Sequence, residues 1–196
     1  QVTDDTTMAL ALGEAILADR GEVRAMSCAL AFDNWMKGKP VDIGNTVRRN
    51  LVAFRRSGNP AAPPSDEDAG NGAVMRILPI ALALMGESES AVRRAALAQA
   101  HVTHHNPASD AACCLVVFAV QAFLGGDSLR NVYRQHIQPF VETYPQYRFR
   151  GRRHDYPSAW IVETMRTVLQ SLMSTGSFED CLIDVVNRGG DADTTG

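Results

Sequence analysis

The segment TTMALALGEAILAD, residues 6–19, decides the fold class because its apolar side chains recur with the period of an α-helix. Met8, Leu12, Ala15 and Ile16 share one face of such a helix. The same period returns in EVRAMSCALAFDNWM (22–36), in NTVRRNLVAFRRSG (45–58) and in later segments, about nine in all. No segment alternates like a strand, and no repeat of fixed length is present. The sequence therefore predicts a compact, all-α, multi-helix domain.

The composition bounds the function classes. With 196 residues, of which 45% are hydrophobic and 21% charged, the chain is expected to form a single globular domain over 1–196. The net charge of −3 argues against nucleic-acid binding, which usually needs a basic excess. One local basic group is present, formed by Arg148, Arg150, Arg152 and Arg153. It is too small to indicate nucleic acid by itself.

The cysteines and the lack of targeting signals predict a compartment. Cys28, Cys113, Cys114 and Cys181 show no CxxC spacing and lie in apolar, helical surroundings. They are predicted to be buried free thiols in a reducing compartment. We find no signal peptide and no apolar run of transmembrane length, so a cytoplasmic location without a transmembrane segment is expected.

Hard oxygen donors cluster near both ends of the sequence. Thr3, Asp4 and Asp5 precede the first helix, and NRGGDADTTG (187–196) supplies Asp191, Asp193 and Thr194. Such donors suit Mg²⁺, Mn²⁺ or Ca²⁺. The alternative is helix capping, with Gly189 ending one helix and an aspartate starting the next. Capping needs only one such residue, and neighbouring carboxylates repel each other unless a cation lies between them. We therefore expect one shared metal site, with the two ends close in space.

Two other polar segments lie just before predicted helices. VDIGNT (41–46) offers Asp42 and Asn45, although Asn45 could simply cap the next helix. DAGNGAVMR (68–76) places Gly70, Asn71 and Gly72 at a predicted helix start, where exposed N–H groups can bind phosphate. A plain glycine-rich turn is the alternative for that segment.

Two further candidates involve aromatic rings. THHNP (103–107) contains His104 and His105 at a helix-initiating turn, and the residues alone do not decide between them. Tyr156 and Trp160 lie near the arginine group. They could stack on an adenine ring or anchor the predicted helix in SAWIVETMRTVLQSLMSTG (158–176).

Five segments occur in a fixed order: TDDTTMALALGEAIL, VDIGNT, DAGNGAVMRILPIAL, THHNPASDAA and VNRGGDADTTG. Together they resemble the ADP-ribosylglycohydrolase family over the whole chain. Five motifs in order are a specific signal, whereas any one of them would be weak. The runs QVTDD, KGKPVDIGNT, YRFRG, TGSFEDCL and NRGGDADTTG resemble the bacterial branch of that family that acts on dinitrogenase reductase.

The resemblance implies a fold and an activity. The expected fold is all-α with a binuclear metal cleft that holds two divalent cations, Mn²⁺ in preference to Mg²⁺. The expected reaction is hydrolysis of the N-glycosidic bond between ADP-ribose and a protein arginine. The implied partners are an ADP-ribosylated protein, dinitrogenase reductase, and a signalling protein of the PII type. Relative to the family, the sequence is expected to lack an N-terminal helix and C-terminal helices.

The resemblance also assigns roles to residues. The implied metal ligands are Thr3, Asp4, Asp5, Asp191, Asp193 and Thr194. Asp42 is the candidate proton-transfer residue at the ribose, with Asp5 as a second catalytic candidate. The implied substrate-binding residues are Asn45, Gly70, Asn71, Gly72, Ala73 and His104 or His105. Tyr156 is a further substrate-binding candidate, because its ring could stack on an adenine.

Two alternatives to the family reaction stay open at the level of sequence. One is a non-catalytic member that only binds ADP-ribose or serves a structural role. The other is a different Mg²⁺- or Mn²⁺-dependent hydrolase of ADP-ribose derivatives, which would release AMP or phosphate. The intact carboxylates favour catalysis.

Overall fold

The computed structural model describes residues 2–196, and all regular structure within them is helical. The helices are α1 (Asp4–Ala18), α2 (Ala25–Lys37), α3 (Asn45–Ser57), α4 (Leu78–Ala83), α5 (Glu89–Ala100), α6 (Pro107–Leu124), α7 (Leu129–Val132), α8 (Gln138–Thr143), α9 (Ile161–Ser174), α10 (Phe178–Val186) and α11 (Ala192–Thr195). Across residues 2–196 the extended pairing is limited to an isolated antiparallel bridge between Gly70 and Trp160. The predicted all-α class is confirmed.

Two apolar clusters form the core, and α6 lies between them. The first cluster gathers α1 to α5 around residues such as Met8, Phe32 and Leu51. The second gathers α8 and α9 around residues such as Phe140 and Met165. α6 contributes Cys113 to the first cluster and Leu115 to the second. A helix that is buried on two faces must be apolar on both.

This position explains a departure from the sequence prediction. By length and composition α6 is apolar enough to cross a membrane, with 18 residues and a mean hydropathy of 1.7. The expectation that no apolar run reaches transmembrane length was therefore wrong. In the structure 39% of this helix is buried against the rest of the protein. Its packing between the two clusters accounts for its apolar character.

Several helix boundaries also differ from the sequence prediction. The apolar segment 72–86 has the helical period and contains Pro79, which fits either a kink or a helix start; in the structure residues 72–76 form a turn and α4 begins at Leu78, so the helix start is confirmed. Pro79 explains the late start, because proline fits the first turn of a helix and not its interior. The segment SLRNVYRQHIQPFVETY (128–144), predicted to be one helix, is split into α7, a π-turn over Tyr133–Ile137 and α8. Asn45 does not cap α3, since the N-cap residue is Gly44.

The cysteines of the described chain are all free, as predicted. Cys28, Cys113 and Cys114 are buried. Cys181 is only half-buried, which corrects the expectation that all four thiols are buried. Burial raises the pKa of Cys28 to about 11, so this thiol stays protonated and unreactive.

Helix packing brings the beginning and the end of the described chain together. α1 packs against α2 and α4, and α11 packs against α9 and α10. The first turn of α1 thereby meets α11, and Asp5 and Thr194 line the same groove. The predicted proximity of the two ends is confirmed.

Candidate active site

Five carboxylates lie around the point where α1 meets α11. We call them the acidic cluster: Asp4, Asp5, Asp42, Asp191 and Asp193. Asp4 feels the charges of Asp42 and Asp193, and Asp5 feels those of Asp193 and Asp4. Asp191 also feels the charge of Asp193. The structure thus brings together carboxylates from both ends of the sequence and from the loop between α2 and α3.

Burial and mutual repulsion shift the acidity of this cluster. Burial raises the pKa of Asp5 to about 6, and the neighbouring charges of Asp193 and Asp4 act in the same direction, whereas the Thr194 hydroxyl opposes them. Burial likewise raises the pKa values of Asp4 and Asp191. Carboxylates held in this way are destabilised when ionised, and a bound cation would relieve the repulsion.

Helix capping does not account for these side chains. Thr3 is the N-cap residue of α1, and Asp191 occupies that position for α11, but neither side chain makes a capping hydrogen bond. The Thr3 hydroxyl instead donates to Asp5 over 3.3 Å, and Asp191 accepts a hydrogen bond from the side-chain amide of Asn71. The capping interpretation of both segments therefore fails on geometry.

The chemistry of the donors fits a hard divalent cation. Carboxylates and the hydroxyls of Thr3 and Thr194 are the oxygen ligands that Mg²⁺ and Mn²⁺ prefer. Within residues 2–196, no group of three or more His, Cys, Asp or Glu side chains already has the geometry of a metal site. The cluster supplies suitable donors without a preformed cage.

Asn71 links the acidic cluster to a turn that we call the glycine turn, residues 70–73. Its buried side-chain amide donates to Asp191 and, over 2.9 Å, to the hydroxyl of Thr164 on α9. Its backbone N–H donates to the carbonyl of Ala159 over 2.9 Å. Asn71 is therefore a fixed connection between the turn, α9 and the loop that carries Asp191.

The glycine turn is not a helix N-terminus, contrary to the sequence prediction. α4 begins five residues later, at Leu78, and the N–H of Asn71 is already paired. Glycine occupies positions 70 and 72 for a different reason: the ring of His104 lies directly against them. A Cβ atom at Gly72 would lie 2.7 Å from Cε1 of His104, and one at Gly70 would lie 3.1 Å from Nε2. A larger residue at Gly72 would collide with this ring, and one at Gly70 would require the ring to shift by a few tenths of an ångström.

The two histidines are separated by the fold. His104 is 2% exposed and lies under the glycine turn. His105 stacks on His101 with ring centroids 3.7 Å apart, and its Nδ1 pairs with the carbonyl of Ala62 over 2.7 Å. Position therefore favours His104 as the residue of the candidate site, while His105 ties the loop after α3 to α5.

Tyr156 lies beside the loop that carries Asp191. Its backbone has a left-handed φ of 57°, which is unusual for a residue other than glycine, and its side chain is largely exposed. The ring covers Gly189, where an added Cβ would lie 3.0 Å from the ring. An exposed aromatic ring in a strained backbone is typical of a binding residue.

Asp42, in the loop between α2 and α3, and Asn45, at the start of α3, lie beside the acidic cluster. Asp42 is exposed, and its carboxylate accepts the N–H of Ile43 over 2.7 Å. Asn45 follows Gly44 as the first residue of α3. Both are therefore near Asp4, at the open edge of the acidic cluster.

All members of the arginine group except Arg148 line a polar cavity that is separate from the acidic cluster. This cavity measures about 440 Å³ and includes Arg150, Arg152, Arg153 and Arg166. Arg153 is bound to Asp155 and Asp184, and Arg150 donates to the hydroxyl of Tyr133 over 2.7 Å. These contacts give Arg150 and Arg153 structural partners, which the sequence did not predict.

A larger groove of about 960 Å³ begins at Asp5, Asp193 and Thr194 and extends between α1, α4 and α9. Its other walls are apolar residues such as Leu10 and Leu82, which are largely exposed. Such walls do not offer the hydrogen bonds that a diphosphate requires. We therefore place the candidate ligand site on the other side of the acidic cluster, at the glycine turn and Tyr156.

Sequence reasoning missed two buried residues at this site. Thr164 holds Asn71 from within α9, and no local pattern distinguishes it from an ordinary helical threonine. Arg76 is fully buried behind His104. Arg76 could have been recognised in the sequence, since it is the single charged residue in the apolar run AVMRILPIALALM, residues 73–85.

Comparison with known proteins places this arrangement in context. The chain matches the family model described as ADP-ribosylglycohydrolase over residues 1–196. It is 43% identical over 196 residues to the ADP-ribosyl-[dinitrogen reductase] glycohydrolase of Rhodospirillum rubrum, covering 100% of this chain and 65% of that protein. It is 27% identical to the ADP-ribosylarginine hydrolase Tri1 of Serratia proteamaculans (strain 568), covering 98% of this chain and 56% of that protein.

The solved structure of an "ADP-ribosylglycohydrolase-related protein complex" has a similar fold. The TM-score is 0.85 at 26% sequence identity, covering 100% of this chain and 67% of that one. The chain thus spans 65% and 56% of the lengths of the two curated relatives named above.

Proposed function

Because the chain belongs to the ADP-ribosylglycohydrolase family, we propose that it takes part in hydrolysis of the N-glycosidic bond between ADP-ribose and a protein arginine. The observation that carries the proposal is the acidic cluster, joined through Asn71 to the glycine turn. The names of the relatives support the choice of substrate. One acts on ADP-ribosylated dinitrogen reductase and another on ADP-ribosylarginine. We propose dinitrogenase reductase as the protein substrate.

We further propose that two divalent cations, Mn²⁺ in preference to Mg²⁺, bind at the acidic cluster. The residues that would hold them are Thr3, Asp4, Asp5, Asp191, Asp193 and Thr194. The raised pKa values of Asp4, Asp5 and Asp191 support this assignment, since cations would relieve the repulsion between these groups. Cations bound there would polarise ribose hydroxyls and lower the pKa of water.

The chain's own residues supply proton transfer in the proposed reaction. A carbon–oxygen bond to water forms at the ribose as the carbon–nitrogen bond to the guanidine breaks. One proton of that water must reach the departing guanidine nitrogen. Asp42 is exposed at the open edge of the cluster, so its carboxylate can receive the proton and pass it on. Asp5 is the second catalytic candidate in this proposal.

The remaining residues would bind and orient the substrate. We assign the diphosphate to the glycine turn, with Asn45 and His104 beside it, and the adenine ring to Tyr156. Binding of this ADP portion would position the distant glycosidic bond at the acidic cluster. His105 pairs with Ala62 and stacks on His101, so we leave it out of the proposed site.

A cytoplasmic location and a regulatory partner of the PII type belong to the same proposal. The free cysteines of the described chain agree with a reducing compartment. The family resemblance in the sequence supports the partner.

A mass measurement tests the proposed reaction. The protein is incubated with Mn²⁺ and a protein that carries ADP-ribosylated arginine, and the released product is weighed by mass spectrometry. Intact ADP-ribose together with unmodified arginine is expected. Release of AMP or phosphate would indicate another hydrolase of ADP-ribose derivatives, and binding without release would indicate a non-catalytic member of the family.

A further inference from the structure

Arg76 is a fully buried cation without a carboxylate partner among residues 2–196. Its Nε donates to the side-chain oxygen of Gln99 over 2.9 Å, and one Nη donates to the Gln99 carbonyl over 3.0 Å. The guanidinium lies 4.1 Å from the centre of the Phe32 ring. A buried charge with neutral partners is costly, and in such a place each hydrogen bond has a defined direction.

The same guanidinium reaches His104 through one hydroxyl. Arg76 Nη2 donates to Oγ1 of Thr103 over 2.8 Å, and that Oγ1 lies 2.8 Å from Nδ1 of His104. Arginine carries no acceptor, so the threonine oxygen must accept from it. The one hydroxyl proton of Thr103 is then free to point at His104. Among residues 2–196 that proton has no other acceptor within hydrogen-bond distance, so we assign Nδ1 of the ring as its acceptor.

An imidazole that accepts at Nδ1 carries its own proton at Nε2. The neutral form agrees with the electrostatics. Burial, with the positive charges of Arg76 and Arg49, lowers the pKa of His104 to about 3. Nε2 is the edge that faces Gly70 and Gly72. Within the described chain Nε2 has no hydrogen-bond partner, and it is not one of the buried unpaired polar atoms sealed from solvent.

We propose that Arg76 and Thr103 are positioning residues that hold His104 in its Nε2–H tautomer. The ring then presents one N–H donor, and no acceptor, to a group bound at the glycine turn. Such a donor selects an oxygen that carries negative charge and rejects a group that can only donate. That the oxygen belongs to the diphosphate of ADP-ribose rests on the proposed function. The tautomer itself does not depend on it.

The proposal is tested by nuclear magnetic resonance of protein with ¹⁵N-labelled histidine. The chain contains five histidines, and His104→Gln identifies the signals of His104 by their loss. The ring-nitrogen shifts and couplings of wild-type protein are expected to show a protonated Nε2 and an unprotonated Nδ1. Protonation at Nδ1 in the wild type would overturn the proposal, and this measurement needs no variant other than the one used for assignment.

Two substitutions then separate the hydroxyl from the shape of the side chain. Thr103→Val keeps the branched shape and removes the donor, so His104 is expected to become a mixture of both tautomers. Thr103→Ser keeps a hydroxyl and should restore the Nε2–H form. An unchanged tautomer in Thr103→Val would show that Thr103 does not position the ring. If Thr103→Val does not fold, the wild-type and Thr103→Ser spectra decide.

Binding of free ADP-ribose gives a second measurement. Thr103→Val is expected to weaken binding roughly tenfold, the size of one oriented hydrogen bond, and Thr103→Ser to recover most of it. Equal affinities would overturn the ligand part of the proposal. If the tautomer behaves as expected but no ADP-ribosylated protein is hydrolysed, then the proposed function fails and the positioning role of Thr103 stands.

Discussion

The acidic cluster and the glycine turn lie side by side, joined by Asn71, but they are stabilised in opposite ways. The acidic cluster holds like charges together, and burial raises the pKa of Asp5 to about 6. The glycine turn rests on His104, whose partners Thr103 and Arg76 complete a hydrogen-bonded network within the protein. The first region therefore carries a repulsion that a bound cation would relieve, whereas the support beneath the second is formed by the chain itself.

Replacing a carboxylate of the acidic cluster should produce the largest effect. Asp193→Asn is expected to lower the hydrolysis rate by at least about a hundredfold, because it replaces a charged carboxylate ligand by a neutral amide that binds a divalent cation more weakly. The helical circular dichroism should stay unchanged. Without metal the variant should be no less stable than wild type, since the substitution removes repulsion. Asp66→Asn, an exposed carboxylate elsewhere, is the matched control.

Metal-dependent stability provides a second measurement on Asp193→Asn and its control Asp66→Asn. At a hundredfold excess over its dissociation constant, Mn²⁺ should raise the free energy of unfolding of the wild type by about 2.7 kcal/mol. The increment should shrink in Asp193→Asn and persist in Asp66→Asn. Full activity of Asp193→Asn, or of metal-stripped wild type, would remove the metal assignment.

Crowding the glycine turn should have the next largest effect. Gly72→Ala adds a Cβ that would lie 2.7 Å from Cε1 of His104 and 3.4 Å from a methyl of Val47. We expect a loss of roughly 1–3 kcal/mol in the free energy of unfolding, measured with urea. Gly176→Ala is the matched control, because nothing lies within 4 Å of its added Cβ. Equal stability of the two variants would mean that His104 can move aside freely.

The buried histidine predicts a pH dependence of stability. The pKa of His104 is lowered from 6.5 to about 3, so the unfolded chain takes up this proton more readily than the folded protein. The contribution of neutral His104 to the free energy of unfolding is complete above about pH 6.5 and is lost as the pH falls towards 3. Between about pH 7 and pH 5, the free energy of unfolding of His104→Gln should therefore fall by about 1–2 kcal/mol less than that of the wild type. Parallel pH profiles of the two proteins would contradict this prediction.

Substitutions in the arginine group should have the smallest effect. They distinguish a role in stability from a role in the rate of substrate binding. Arg153→Ala removes ion pairs with Asp155 and Asp184 and should cost roughly 0.2–1 kcal/mol of unfolding free energy. Arg152→Ala removes no ion pair of the described chain and should leave stability unchanged. If the group helps an anionic substrate approach, Arg152→Ala should slow binding more at low salt than at high salt. A salt-independent change would rule out that role.

The helical fold and the meeting of the two ends could be predicted from local patterns. Apolar residues such as Met8 and Leu12 reported the helical period, and paired carboxylates such as Asp4 and Asp5 implied a function beyond capping. The apolar helix α6 was misjudged, because burial on two faces and membrane length look alike in a sequence.

The supporting residues of the site could not be predicted, because they depend on distant packing. His104 and His105 are neighbours in sequence, and only the approach of residues 70–72 distinguishes them. Asn71 meets Asp191 across 120 positions of the chain. The late start of α4 moved the glycine turn out of a helix, so the predicted helix N-terminus for phosphate does not exist there.

Tyr156 and Asp191 are linked in a way that bears on motion. The N–H of Tyr156 donates to the carbonyl of Arg188 over 2.9 Å, and the N–H of Asp191 donates to the carbonyl of Pro157 over 2.9 Å. Two segments tied at both ends by their backbones move as one body. Displacement of the exposed tyrosine ring would therefore shift Asp191 as well. A ligand without the adenine ring that we propose for Tyr156 would leave this body unanchored, and with it one wall of the acidic cluster.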